Sequence, residues 1–284
     1  MSSSEWSLVL FTILSQISVG MVFSILIAFI IAPVEKRNQI NSFRVPLLIA
    51  SVLMLIALFS SFLHLASPFS SVFALSNLQS SWLSREIFMV SFYFALIAGT
   101  TFWWKRLIKK YTAALIILLI VAIAGLLLIY SMGKIYIIAT VPPWNTPFTL
   151  LKFFISTILL GTALYITLTF YLHKEKQINS KAAIKTLTGL IVFTALIKVI
   201  VLIFDFVPNT ELAVFKPQSS LQIWIYLSWI FWPLGVILYL LNIFSTRLSG
   251  QLIRILYFIG FLCFLLSELA SRVIFYSSYY RIGI

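Results

Sequence analysis

The chain has 284 residues, of which 62% are hydrophobic and only 10% are charged, and its formal net charge is +13. A soluble domain carries about a quarter charged residues, so this composition excludes a water-covered surface and predicts a polytopic membrane protein. The basic residues stand in short runs between apolar stretches, where they flank a bilayer, so the positive charge does not indicate nucleic-acid binding.

Apolar runs of about 20 residues, the length that crosses a ~30 Å hydrocarbon core as a helix, recur along the whole chain. They predict an all-α fold with eight transmembrane helices in a single membrane domain, residues 1–284. The predicted spans are 7–32, 45–66, 86–104, 111–132, 148–172, 182–207, 221–244 and 252–276. The first run is too long for a signal-peptide core and has no basic leader, so we expect it to be retained.

The basic residues predict the orientation of these spans. Most lie in the connections after the odd-numbered spans: Lys36, Arg37, Arg44, Lys105, Arg106, Lys109, Lys110, Lys174, Lys176, Lys181, Lys185, Arg247 and Arg254. The connections after the even-numbered spans hold one each: Arg85, Lys134 and Lys216. Because lysine and arginine concentrate on the cytoplasmic side, we predict a bacterial inner (cytoplasmic) membrane protein with both termini in the periplasm.

The residue types that hold metals and clusters are scarce. Cys263 is the only cysteine, which excludes an internal disulfide and a cluster held by four thiolates. His64 and His173 are the only histidines and fall at opposite ends of the predicted spans, so one haem could not bind both. The sequence therefore predicts no haem, no metal and no iron–sulfur cluster within this chain.

The connection between the second and third spans runs from His64 to Glu86 and contains Ser67, Pro68 and Arg85. Ionisable groups at membrane depth are often functional, and an imidazole can accept a proton from a hydroxyl near neutral pH. The competing interpretation is a histidine bound to lipid headgroups and an ordinary helix start, whose acid complements the helix dipole. We predict that His64 and Glu86 stand close together as the catalytic groups, with Ser67 and Arg85 as candidate substrate contacts.

Two other features carry unusual side chains. The run 140–147 has three prolines and Trp144, which indicates a stiff loop that is either a plug between helices or a lid and docking platform. Glu268 and Arg272 are four residues apart, so they share one helix face and predict an ion pair that is structural or lines a pocket. Lys198 is the deepest predicted charge and faces the bundle or extends toward the headgroups.

Five segments, taken in order, resemble one known family. They are Glu5–Thr12, His64–Pro68, Leu83–Ile87, Thr140–Trp144 and Glu268–Tyr276. Together they resemble the membrane anchor subunit of the bacterial dimethyl sulfoxide reductase family. The resemblance spans nearly the whole chain and includes the eight-helix layout with both ends outside.

The resemblance implies a role in anaerobic respiration as part of a three-subunit complex, a heterotrimer. Such an anchor binds menaquinol as a diffusible substrate and oxidises it. It passes the electrons to an iron–sulfur subunit and then to a molybdopterin catalytic subunit, both docked on the periplasmic face. The molybdopterin subunit reduces dimethyl sulfoxide or related S- and N-oxides. By the resemblance, His64 is the quinol-site histidine and Glu86 its acid, with Ser67, Arg85 and Trp144 as further candidate quinol contacts.

Three alternatives stay open at this point. One is the anchor of another molybdoenzyme, of the polysulfide reductase type. A small-solute transporter would need charges near the midplane and broken helices, whereas only Lys198 lies deep and glycine is sparse. A purely structural anchor would leave His64 without a role.

Overall fold

The computed structural model describes residues 3–31, 43–64, 75–172, 181–206, 219–244 and 249–279. Within these ranges it has eight long helices, α1 (Ser3–Ile31), α2 (Arg44–His64), α3 (Trp82–Leu107), α4 (Tyr111–Ile135), α5 (Pro147–Leu172), α6 (Lys181–Phe206), α7 (Ser219–Phe244) and α8 (Gly250–Ser277). All eight are long and apolar enough to cross a membrane. The predicted all-helical, polytopic membrane architecture is therefore confirmed.

The third helix begins at Trp82 rather than at residue 86, because polar residues cap it. Ser81 has an extended backbone, and its hydroxyl accepts a hydrogen bond from the Ser84 amide at 3.3 Å, as an N-cap residue does. Glu86 consequently lies beyond the first turn of α3 and is buried, with 7% of its surface exposed. The interpretation of Glu86 as an acid that complements the dipole in the first turn is therefore wrong.

Neighbouring helices in the chain run in opposite directions. Ser51, near the start of α2, hydrogen-bonds to Thr101, near the end of α3, at 2.9 Å. Ser228, near the start of α7, hydrogen-bonds to Ser271, near the end of α8, at 2.9 Å. The odd-numbered helices therefore begin, and the even-numbered helices end, at one end of the bundle. We call this end the Glu86 end.

Helix α1 is at the centre of the bundle and packs against α2, α4, α5, α6 and α8. It approaches α5 most closely at Gly20 and Gly161, where a Cβ atom on either glycine would overlap backbone atoms of the other helix. Small residues allow membrane helices to come this close. On either side of the contact, the Gln16 amide donates to the Phe153 carbonyl at 3.3 Å and the Ser24 hydroxyl donates to Thr162 at 2.9 Å.

We expect Gly161→Ala to destabilise the folded protein by about 1–3 kcal/mol, because α1 and α5 would have to separate to admit the methyl group. Thermal denaturation in detergent, followed by size-exclusion chromatography, measures the change. Gly189→Ala on α6 is the matched control: no atom lies within 4 Å of a Cβ at that position. Equal effects of the two substitutions would contradict the close contact.

Candidate functional site

His64 is the last residue of α2, which ends at the Glu86 end of the bundle. The backbone of His64 therefore lies at the same end as Glu86, because α2 and α3 pack against each other in opposite directions. The side chain of His64, and Ser67 as a whole, lie outside the described residues. The approach of the imidazole to the carboxyl group stays a prediction.

The carboxyl group of Glu86 is buried without a hydrogen-bond partner among the side chains that the structure describes. Its polar neighbours are the hydroxyl groups of Tyr136 and Tyr276, which are near enough to interact with it electrostatically. A buried carboxyl group with no hydrogen bond is costly, since it has lost water and gained nothing. Burial therefore favours a hydrogen-bond donor beside the carboxyl group of Glu86.

The two tyrosine hydroxyls beside Glu86 form a hydrogen bond of 3.1 Å with each other. Tyr276 also interacts with Thr12 on α1. The Thr12 hydroxyl donates to the carbonyls of Leu8 and Val9, both at 3.0 Å. Tyr136 directly follows α4. Its pKa is raised well above the usual value, mainly by burial and then by the neighbouring phenol of Tyr276. The pair therefore consists of neutral hydroxyl groups.

Trp144 is half-buried and is fixed to the end of α8. Its indole N–H donates to the Phe275 carbonyl at 2.8 Å, and its ring stacks on that of Phe275 with centroids 5.3 Å apart. The edge of Tyr136 meets the same indole at 5.2 Å. Because the indole N–H is already used, the contacts favour the interpretation of the proline-rich loop as a plug between α4 and α8.

Arg85 is half-buried and binds the segment that leads into α3. Its Nε donates to the Leu78 carbonyl at 2.8 Å, and a terminal nitrogen donates to the Gln79 carbonyl at 2.5 Å. Its guanidinium also lies 4.2 Å above the Trp82 ring. These contacts tie Arg85 to the segment that precedes α3.

A buried charge cluster of Lys198, Glu268 and Arg272, with Ser156 between them, lies beside the tyrosine pair. Lys198 Nζ contacts Glu268 Oε1 at 2.5 Å, and these two side chains are 7% and 3% exposed. Glu268 and Arg272 interact electrostatically, and Ser156 bridges the two side chains. Arg272 donates to the Ser156 hydroxyl at 3.3 Å, and Ser156 donates to Glu268 Oε2 at 2.6 Å. The long lysine side chain reaches Glu268 from α6, which the spacing along α8 could not indicate.

Residues missed from the sequence complete this arrangement. Tyr276 follows Arg272 by four positions and Glu268 by eight, so the helical period places all three on one face of α8. That signal was present in the sequence. Ser156 and Tyr136 carried no comparable signal, because each meets the cluster only through packing of helices that are distant in sequence.

Among the described residues, no three histidine, cysteine, aspartate or glutamate side chains are placed to hold a metal ion. Cys263 is buried and free. Within these same residues, the polar groups gathered near the Glu86 end are thus suited to hydrogen bonding and proton transfer.

Comparisons with known proteins identify the family of the chain. Residues 1–278 match the family model described as DMSO reductase anchor subunit (DmsC). The chain is 29% identical over 163 residues to anaerobic dimethyl sulfoxide reductase chain YnfH of Escherichia coli, and 25% identical over 162 residues to an anaerobic dimethyl sulfoxide reductase chain of Haemophilus influenzae. Each alignment covers 56% of this chain, and 56% and 57% of the two relatives, so the chain spans little more than half the length of the curated relatives it matches. The family match itself covers nearly the whole sequence, and the chain therefore belongs to the family of DMSO reductase anchor subunits.

Proposed function

We propose that this chain binds and oxidises menaquinol at the Glu86 end of the bundle and serves as the membrane anchor of an anaerobic respiratory molybdoenzyme complex. The observation that carries the proposal is the buried Glu86 carboxyl group, which has no hydrogen-bond partner among the described side chains. It lies at the same end as His64. A quinol hydroxyl supplies the missing hydrogen bond.

In this proposal His64 and Glu86 divide the proton chemistry. Oxidation of the quinol to the quinone releases two electrons and two protons. His64 accepts a hydroxyl proton, as an imidazole does near neutral pH, and Glu86 binds the hydroxyl and assists proton release. The electrons pass to an iron–sulfur cluster of a docked partner subunit. From there they reach a molybdopterin subunit that reduces dimethyl sulfoxide or a related S- or N-oxide.

The proposed location is the bacterial inner membrane, with the Glu86 end facing the periplasm. The support is the basic connection at the opposite end, between α3 and α4, which carries Lys105, Arg106, Lys109 and Lys110. Proton release and reduction of the terminal acceptor then take place on the same side. The anchor therefore generates no membrane potential of its own.

We expect Glu86→Gln to lower quinol-dependent reduction of dimethyl sulfoxide by about tenfold or more, since the amide forms a weaker hydrogen bond to the quinol and cannot take up a proton. The assay uses the assembled complex in membranes with menadiol as the donor. Reduced benzyl viologen, which delivers electrons to the soluble subunits directly, should support unchanged turnover.

Glu5→Gln is the matched control, because Glu5 lies in the first turn of α1 at the same end of the bundle. This substitution should leave both activities intact. Full menadiol-dependent turnover in Glu86→Gln would exclude Glu86 from the site.

A further inference from the structure

The connection between α3 and α4, at the end of the bundle opposite to Glu86, concentrates exposed positive charge. Only residues 108–110 separate the two helices. The side chains of all four cations in and beside this connection are exposed: Lys105, Arg106, Lys109 and Lys110. Among the described residues, none of the four forms an ion pair. We call residues 105–110 the basic turn.

Two of these cations stand where the local electrostatics disfavours them. Lys105 and Arg106 lie in the last turn of α3, whose dipole stabilises positive charge. Lys109 and Lys110 instead precede the first turn of α4, at the positive end of its dipole. Two adjacent cations at a helix N-terminus repel each other and the helix dipole, so this arrangement favours an anion beside them.

The N-terminus of α4 also offers free hydrogen-bond donors to such an anion. Lys110 occupies the N-cap position, and its side chain makes no capping hydrogen bond, because an ammonium group has no acceptor atom. The first hydrogen bond of the helix runs from the Ala114 amide to the Lys110 carbonyl at 3.0 Å. The amides of Thr112 and Ala113 therefore have no acceptor within the helix. Backbone amides in this position are suited to bind a phosphate group.

Exposed aromatic side chains lie on the membrane side of the basic turn. Phe102 is 75% exposed and Trp103 is 50% exposed, and their rings meet edge to face with centroids 5.2 Å apart. They precede Lys105 and Arg106 by about one helical turn on α3. Aromatic side chains at this depth lie at the boundary between acyl chains and headgroups. The surface thus combines groups for an anion with groups for an acyl chain.

A buried aromatic cluster holds the basic turn in place. The Phe29 ring of α1 stacks on Tyr111 of α4 with centroids 4.9 Å apart, and it meets the edge of Trp104 of α3 at 6.1 Å. It also meets Phe43 at 5.8 Å. The exposed Arg44 directly follows Phe43 and adds a cation at this end of the bundle. Because these rings fix both helix ends, a ligand that binds the turn has little to order.

We propose that the basic turn binds an anionic phospholipid, with a phosphate at the N-terminus of α4 and an acyl chain against Phe102 and Trp103. This inference goes beyond the proposed function and does not depend on it. The phosphate accepts hydrogen bonds from the amides of Thr112 and Ala113 and offsets the charge of the neighbouring lysines. A lipid with two phosphates, such as cardiolipin, offsets more of this charge and should bind more tightly.

An acidic soluble protein is the other class of partner that a positive surface can bind. The length of the connection favours the lipid. Residues 108–110 must bridge two packed helices, whose axes lie about 8–10 Å apart, and three residues span at most about 10 Å. No length is left for a loop that projects beyond the headgroups, so the cations stay at the depth of lipid phosphates.

The test is thermal denaturation of the full-length chain, purified in a neutral detergent, with and without added cardiolipin. At a lipid concentration about 100 times the Kd, the midpoint should rise by about 5 °C. Phosphatidylcholine, which has a phosphate but no net charge, should leave the midpoint in place, and so should inorganic phosphate. High salt should diminish the rise with cardiolipin, because it screens exposed charges.

Variants locate the effect on the chain. Lys109→Gln combined with Lys110→Gln should lose at least half of the rise with cardiolipin. Lys185→Gln combined with Arg254→Gln is the matched control, because it removes two positive charges at the same end of the bundle, from α6 and α8, and it should keep the rise.

Lys110→Asp is the sharper variant, because an aspartate at the N-cap position supplies its own carboxylate to the amides of α4. It should raise the midpoint without lipid and remove most of the rise with cardiolipin. An equal rise in the two double variants would place the effect elsewhere and overturn the inference. An equal rise with phosphatidylcholine or with inorganic phosphate would overturn it as well. If the Lys109 and Lys110 double variant does not fold, an undiminished rise in Lys110→Asp overturns the inference.

Discussion

His64→Arg is expected to abolish menaquinol-dependent turnover, with a loss of at least about 100-fold, the usual contribution of a positioned acid–base group. A guanidinium is always protonated, so it cannot accept a proton from a quinol hydroxyl. It also adds a positive charge to the end of the bundle where Arg272 is already buried. Turnover driven by reduced benzyl viologen should be retained, because those electrons bypass the membrane subunit.

His173→Arg is the matched control for this experiment. In the sequence, His173 follows Leu172, the last residue of α5, and α5 ends opposite to Glu86. Its replacement should leave turnover with menaquinol and with reduced benzyl viologen intact. Survival of menaquinol-dependent turnover in His64→Arg would show that the imidazole is not the proton acceptor. Loss of both activities in that variant would instead indicate that the partner subunits no longer dock.

We expect the second large effect in Glu268→Gln, which should lower the stability of the folded protein. Removing this carboxylate leaves Lys198 and Arg272 as two buried cations with no anion in their cluster, and breaking a buried pair costs about 3–5 kcal/mol. Thermal denaturation of the protein in detergent measures the loss. We expect expression in the membrane to fall as well.

The order of the variants in stability is a more specific prediction. Lys198→Met should cost less than Glu268→Gln, because Glu268 then still has Ser156 as a donor and Arg272 nearby. The double variant Lys198→Met with Glu268→Gln should be more stable than Glu268→Gln alone, since it removes one of the two cations. The reverse order would mean that Arg272 does not share the carboxylate.

Sequence alone predicted the membrane helices well, and the errors in the predicted helix bounds have a physical cause. Hydropathy locates the apolar part of each span, so the second span was predicted at 45–66 and is observed at Arg44–His64. The third was predicted to begin at residue 86 and begins at Trp82 instead. Its first turn is polar and is stabilised by the Ser81 cap, and hydropathy does not detect a capped polar turn.

The site was less predictable, because its groups meet only through the packing of separate helices. The sequence identified Glu86, Glu268 and Arg272 as unusual, and all three are buried. It assigned Arg272 to Glu268 because the two lie one turn apart on α8. The observed partner, Lys198, comes from another helix and is 70 positions away in the sequence. Tyr136 was missed, because no periodic pattern brings a residue that follows α4 next to α8.

The contacts of α1 with α5 also constrain how the protein is made. Helix α1 carries Gln16 and Ser24, whose partners Phe153 and Thr162 are synthesised only after three further helices. Until then these amide and hydroxyl groups enter the lipid without their final bonds, and the glycine face at Gly20 has no helix against it. During biogenesis, α1 therefore reaches its final packing only once α5 has been inserted.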